Sequence, residues 1–335
     1  MNDKFFSLDI NDYPVGKCIV ESVDFPSFYG LQDVNVPLYV YRATKKVSPC
    51  IVVTACMHGD EINGMRIAQS IIQSKLKLIK GTLIILPVIN IYGFMNKVRY
   101  LPDRRDLNRC FPGSEKGSFG ARFANFIFKN ITRYGDIFID LHSAGSGRYN
   151  IPQIRIDLES QNLDDLVDQI RVPLIINSSL RDGSLRGSID DLGKVCIVFE
   201  GGEGLRIDEN ISKYGIDLVK SVLRYKGMLK KTVKKDSPKI ILNKTQWYRA
   251  HEGGVFLNKV KPGKVLTKGH VLGELRSITG ELISCITLKN DGVVIGIGKS
   301  SVVMAGDALY NIGYMNDKDI IDDEILDYFD YDSLS

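Results

Sequence analysis

Histidine is scarce in this chain: four in 335 residues, at His58, His142, His251 and His270. The scarcity makes the setting of each one informative. The six cysteines (Cys18, Cys50, Cys56, Cys110, Cys196 and Cys285) form no C-x-x-C pair, which argues against a zinc knuckle or a dithiol redox motif. Scattered single cysteines of this kind read as reduced, small hydrophobic residues. No apolar run reaches the ~18 residues that a membrane span needs. The first residues, MNDKFFSLDINDYP, lack the basic start and apolar centre of a secretory signal. Charge of one sign is not in excess either: the net charge of +4 is too mild for a nucleic-acid binder. The expectation is a cytoplasmic protein with no membrane and no nucleic-acid partner.

The hydrophobic content of 44% and charged content of 25% suit a globular protein, and the length suits two domains or one large domain with an appendage. Residues 36–46 alternate like a half-exposed strand. Residues 50–57, 82–89, 136–141 and 195–199 are short continuous apolar runs rich in β-branched residues, as expected of strands buried on both faces. Between them, Met65–Ile72, Phe119–Tyr134, Leu163–Ile170 and Asn210–Tyr225 repeat apolar residues mostly at three- and four-residue steps, which predicts helices. Buried strands alternating with amphipathic helices predict an α/β domain over residues 1–230, with a parallel or mixed sheet flanked by helices. A stretch crowded with Lys226, Lys230, Lys231, Lys234, Lys235 and Lys239 leads into Asp236-Ser237-Pro238, and 231–239 reads as a linker. From 240 to 315 the texture changes to short strands punctuated by Gly and Pro-Gly, which predicts a small all-β, barrel-like module in two similar halves. Residues 316–335 carry eight acids against one lysine and read as a solvated acidic tail.

Two histidines sit where chemistry is expected. His58 follows the buried run 50–57, and His142 follows 136–141; loops at the carboxyl ends of such strands open into the crevice of an α/β sheet. Glu61 lies three residues after His58, close enough to share an ion with it. A hydrolytic metal site needs three protein ligands and an open position, a carboxylate to move protons and a cation for the oxyanion. Gly59 would leave room for the backbone beside the metal. The loop 99–113 holds Arg99, Arg105, Arg109 and Asn108, a set suited to carboxylates and oxyanions. Glu200 ends an apolar run, where burial would raise its pKa towards proton transfer. Glu203 reads as an exposed acid on a Gly-rich loop. Arg148, Arg155 and Arg181 read either as surface charge or as hosts for a second carboxylate.

Taken in order, H-G-D-E-x-N-G at 58–64, R-Y-L-P-x-x-R-D-L-N-R-x-F-P-G at 99–113, D-L-H-S at 140–143 and F-E-G-G at 199–202 resemble the succinylglutamate desuccinylase/aspartoacylase family, which is related to the zinc carboxypeptidases. The resemblance runs from about residue 36 to residue 204, and the β module resembles the C-terminal domain of many bacterial members. It implies one zinc ion held by His58, Glu61 and His142. It implies Glu200 as the general base that activates water and then protonates the leaving amine. Arg99 would be the oxyanion cation, with Arg105 open as the alternative. Asn108 and Arg109 would hold the substrate carboxylate, and Asp106 would orient a metal-bound imidazole. The implied activity is hydrolysis of a small N-acyl amino acid or related amide; the alternative is a metallocarboxypeptidase acting on peptides or cell-wall fragments. A homo-oligomer is left open. The hairpin 276–281 lacks the lysine of a lipoyl or biotinyl carrier, so the module reads as a cap or rim of the cleft, and His251 and His270 as non-ligands.

Overall fold

The structure is a computed structural model that describes residues 7–25, 34–158, 163–231 and 239–314. The acidic tail and all but the ends of the expected linker lie outside the described residues. In chain order the elements are β1 (Cys18–Phe25), β2 (Val34–Arg42), β3 (Cys50–Ala55), α1 (Asn63–Gln73), β4 (Thr82–Leu86), α2 (Ile91–Asn96), α3 (Phe119–Thr132), β5 (Ile137–His142), β6 (Arg148–Ile156), α4 (Asp164–Gln169), β7 (Leu174–Asn177), α5 (Leu185–Asp190), β8 (Val195–Glu203) and α6 (Glu209–Tyr225). The strands β9 (Ile240–Leu242), β10 (Lys244–Arg249), β11 (Gly254–Asn258), β12 (Val265–Leu266), β13 (Val271–Arg276), β14 (Leu282–Thr287), β15 (Gly292–Gly298), β16 (Val302–Val303) and β17 (Ala308–Tyr314) complete the described chain.

The expected mixed sheet flanked by helices is present. Its centre, β4-β3-β5-β8, is parallel, and β1, β2 and β6 extend it with antiparallel pairs. The apolar runs form these strands because both faces are covered. Along β3, Ile51, Val53 and Ala55 face one core, with α1 and α6, while Cys50 and Val52 face the other, with α3 and α5. Every residue of β3 is buried, and each large side chain there contributes about 1.5–3 kcal/mol. The helices α1 and α6 cross closely at Gly215, where an added Cβ would stand 2.2 Å from Ile67. Asp208 caps α6 by accepting from the amides of Asn210 and Ile211, and Ser118 caps α3.

The strands after residue 240 do two things. β14-β13-β11-β16 form a separate antiparallel sheet, whereas β15, β17 and β10 continue the large sheet from the edge of β6. The join is made by Gly296, Ile297 and Gly298 against Asn150, Tyr149 and Arg148. An ion pair between Lys299 and Glu203, 2.6 Å apart, reinforces it. Glu203 is therefore a strand residue with a largely covered side chain, not the exposed loop acid that its Gly-rich neighbours suggest. Among the described residues no helix is long and apolar enough to cross a membrane.

Candidate active site

The carboxyl ends of β3, β5 and β8 point into one cleft of about 580 Å³. The chain leaves β3 through Cys56, whose φ of 49° turns it sharply in a region that non-glycine residues seldom enter. That turn presents His58, and the Glu61 amide then bonds back to the His58 carbonyl at 3.1 Å. Each residue of the first motif has a physical task. Gly59 is required by a neighbour other than the expected one: a Cβ there would lie 1.8 Å from the backbone carbon of Gly93, so its missing side chain makes room for α2. Asp60 pins two loops, accepting from the Ser146 amide at 3.1 Å and receiving Leu205 N–H on its carbonyl at 2.7 Å. Asn63 bonds the carbonyl of Glu203 and the amide of Asp208. Gly64 lets α1 approach the Leu141 carbonyl, 2.5 Å from where a Cβ would be.

His142 is the last residue of β5, and its Nδ1 lies 2.7 Å from Glu61 Oε2; His58 Nδ1 lies 2.7 Å from Glu61 Oε1. All three side chains are buried, and their ligand atoms lie within 4.8 Å of one another, so this group could hold a metal ion. The far nitrogens are held by carboxylates: His58 Nε2 by Asp106 at 3.1 Å, His142 Nε2 by Asp140 at 2.8 Å. Such outer contacts fix an imidazole so that its other nitrogen faces an ion. Two oriented imidazoles and a carboxylate fit a divalent transition-metal ion. Burial opposes protonation of both imidazoles, but the adjacent carboxylates outweigh it: Glu61 and Asp106 lift His58, and Asp140 and Glu61 lift His142 well above the ordinary range. Burial would raise the Glu61 carboxyl, yet the two imidazoles hold it well below the usual carboxylate range.

Asp140 escaped the sequence reading, although its position two residues before His142 on a strand puts both on one face. Its other oxygen accepts from Thr54 Oγ1 at 2.7 Å. Asp106 does more than meet His58: it accepts from Arg99 at 2.8 Å and from the Asn108 amide at 2.9 Å. Arg99 also lies 3.3 Å from Glu61, at the edge of the ligand group. Arg105 is elsewhere; it faces Asp103 at 3.5 Å, largely exposed, and does not line the cleft. Asn108 and Arg109 do line it. The Asn108 Oδ1 accepts from Leu185 N at 2.9 Å, which leaves its amide nitrogen to donate.

Glu200 stands beside His142 in the strand register, one strand away on the same face. The strand β8 runs on past it to Glu203, so Glu200 is partly exposed at the cleft floor and does not end an apolar strand. Its carboxylate accepts from Asn150 Nδ2 at 2.9 Å and lies 3.3 Å from Arg155 Nε. The far wall belongs to β10, with Thr245, Trp247 and Arg249 facing inwards and Arg148 5.6 Å over the Trp247 ring.

This combination of sheet, loops and buried histidine–carboxylate group defines a known class. Residues 48–226 match the model of the succinylglutamate desuccinylase/aspartoacylase catalytic domain, and the chain belongs to that family. A relative, N-alpha-acetyl-L-2,4-diaminobutyric acid deacetylase of Halomonas elongata, is 26% identical over 299 residues, covering 82% of this chain and 84% of that protein. Among solved structures, the fold is shared with a succinylglutamate desuccinylase from Silicibacter sp. TM1040 (TM-score 0.81, 22% identity, 91% of this chain and 97% of that one). It is shared equally with the product-bound ectoine utilization protein EutE (DoeB) from Ruegeria pomeroyi (TM-score 0.80, 22% identity, 90% and 98%).

Proposed function

We propose that this protein is a zinc-dependent amide hydrolase that cleaves a small N-acyl amino acid into a carboxylate and an amine. The observation that carries the reading is the register of β5 and β8, which sets Glu200 directly beside His142 at the mouth of the buried group. His58, Glu61 and His142 would hold one zinc ion. When bound, that ion supplies Lewis acidity, which makes water a competent nucleophile near neutral pH.

The protein's own groups divide the remaining work. Glu200 takes a proton from the attacking water and delivers it to the departing amine nitrogen, so that water adds across the C–N bond with no net proton change. Arg155 and Asn150 keep its carboxylate turned into the cleft. The Arg99 guanidinium faces the oxygen on which negative charge develops, and Asp106 holds both Arg99 and His58 in place. Burial works against the charge on Arg99, but Glu61 and Asp106 outweigh it and raise its pKa. The Asn108 amide nitrogen and the Arg109 guanidinium grip the substrate carboxylate. The placement of Arg105 against Asp103 supports Arg99 for the oxyanion. The wall formed by β10 narrows the cleft, which supports small substrates over the peptides of a metallocarboxypeptidase.

The test is Glu200→Gln. Turnover of N-acyl amino acids should fall by about a hundredfold or more, with zinc content by elemental analysis unchanged. A variant with full turnover would remove Glu200 from the mechanism, and a purified protein that neither binds nor responds to zinc would remove the ion.

A further inference from the structure

The strand β6 carries a buried polar side chain that the proton transfers leave idle. Gln153 is fully buried, and among the described residues neither its Oε1 nor its Nε2 has a hydrogen-bond partner. A buried amide without partners costs stability, so protein interiors seldom keep one that has no use. Its strand neighbours narrow that use. On one side Gln153 stands opposite Leu174 of β7, which offers no polar side chain. On the other it stands opposite Glu200 of β8. Directly opposed residues of an antiparallel pair share a face, with Cβ atoms about 4.5–5.5 Å apart.

A bulge sets this arrangement. Asn150 pairs with Gly202 and Gln153 with Glu200, so Ile151 and Pro152 together face the single residue Gly201. In an unbroken strand, residues three apart point to opposite faces. The extra residue brings Asn150 and Gln153 round to the same one, and Arg155, two residues further on, joins them. Three β6 side chains therefore bracket the Glu200 carboxylate, and their contacts are unequal. Asn150 Nδ2 donates to Oε2 at 2.9 Å. Arg155 Nε stands 3.3 Å from Oε1 as an ion pair, without the alignment of a hydrogen bond. Among the described residues, Oε1 thus has no aligned donor, while Gln153 directly across from it has a donor and no acceptor.

We propose that Gln153 is a positioning residue for Glu200, its amide closing on the carboxylate as that group turns from the attacking water to the departing amine. The proposal rests on the amide-hydrolase reading and adds a residue to it. A proton carrier that serves two atoms in succession has to be steadied in both of its states. Arg155 carries only donors and so favours the ionised state alone. An amide serves both. Nε2 donates to Glu200 while it is ionised, and Oε1 accepts from it while it carries the proton, before that proton passes to the amine nitrogen. Both unpartnered atoms of Gln153 are then used, and the proton count of the reaction is unchanged.

The test is Gln153→Met in the zinc-loaded full-length protein, which keeps the length of the side chain and removes both polar atoms. With N-acyl amino acids kcat should fall by about tenfold, while KM and zinc content stay within about twofold of the parent. The melting temperature should hold or rise, because an unpartnered amide gives way to an apolar chain of similar shape. Unchanged kcat, or a fall in kcat that follows lost zinc or lost stability, would overturn the proposal. A second measurement separates action through Glu200 from general packing. In a Glu200→Gln background the same substitution should alter the residual turnover by less than about twofold. A further loss as large as in the parent would place the effect elsewhere and sink the assignment. If the parent cleaves no amide, the hydrolase reading falls by itself, and unfolding free energies decide the contact. The parent, Gln153→Met, Glu200→Gln and the double variant should then be non-additive; additive values would show that the two side chains do not interact.

Discussion

Removing the charge of Asp140 isolates what an outer carboxylate does for the buried group. Asp140 is almost fully buried, with one oxygen 2.8 Å from His142 Nε2 and the other 2.7 Å from Thr54 Oγ1. Its negative charge makes His142 a better donor and fixes which ring nitrogen is free to face Glu61. Asp140→Asn can keep both hydrogen bonds, with its oxygen accepting from the imidazole, so geometry survives while charge is lost. A hydrogen bond to a charged group contributes about 1.5–3 kcal/mol, or roughly ten- to a hundredfold in metal affinity, the range typical of such outer contacts. Asp140→Ala goes further, because Thr54 and the imidazole both lose a partner in a dry site; about 2–4 kcal/mol of fold stability should go with it. The assay is competition for zinc against a fluorescent chelator, with thermal unfolding of the metal-free variants measured in parallel. An Asp140→Asn protein that binds zinc within twofold of the parent would show that His142 is oriented by the strand alone.

Protons and metal should compete for the same site. After chelation His58 and His142 hold their protons above the ordinary imidazole value of 6.5, so their contribution to folded stability is complete below that value and is lost as pH rises through the raised values. Metal needs the neutral rings, so zinc uptake near neutral pH should release protons and affinity should climb with pH; calorimetry in buffers of different ionisation enthalpy measures this, and zero release would contradict it. Gly59→Ala puts a Cβ 1.8 Å from the Gly93 backbone, with no flexible side chain to give way, and should cost about 3 kcal/mol or more, visible as a large drop in melting temperature. Lys299→Ala removes a half-exposed ion pair with Glu203 and should change stability by less than about 1 kcal/mol, since the backbone pairing of β15 with β6 carries the join; a larger loss would assign the join to the ion pair.

Much of the catalytic half was legible because its signals are local. Continuous β-branched runs form strands only when both faces are covered, so residues 50–57 and 136–141 announced a helix-flanked sheet without any neighbour being known. The same runs located His58 and His142 at strand ends. The strand β6 was not legible: residues 148–156 mix Arg, Asn, Pro and Gln with isoleucine because part of the strand lines a polar cleft, so the apolar run is broken. The motif glycine at 59 was legible as a requirement but not in its cause, since Gly93 is distant in sequence.

What the sequence determined by itself is therefore chemical identity and local order: the candidate ligand group His58, Glu61 and His142, the carboxylate at Glu200, and the guanidinium-rich loop, each attached to an element whose periodicity is written in its own residues. What only the tertiary structure decided is which distant groups meet. It separated Arg99, bonded to Asp106, from Arg105, turned to Asp103. It set Asp140 behind His142, laid β10 across the cleft and gathered Arg155, Arg181 and Arg186 from a strand, a loop and a helix. Periodicity reports which face of an element is buried, because burial acts on each residue locally. Which partner lies across that face depends on strand order and register, and those are set by the packing of the whole sheet.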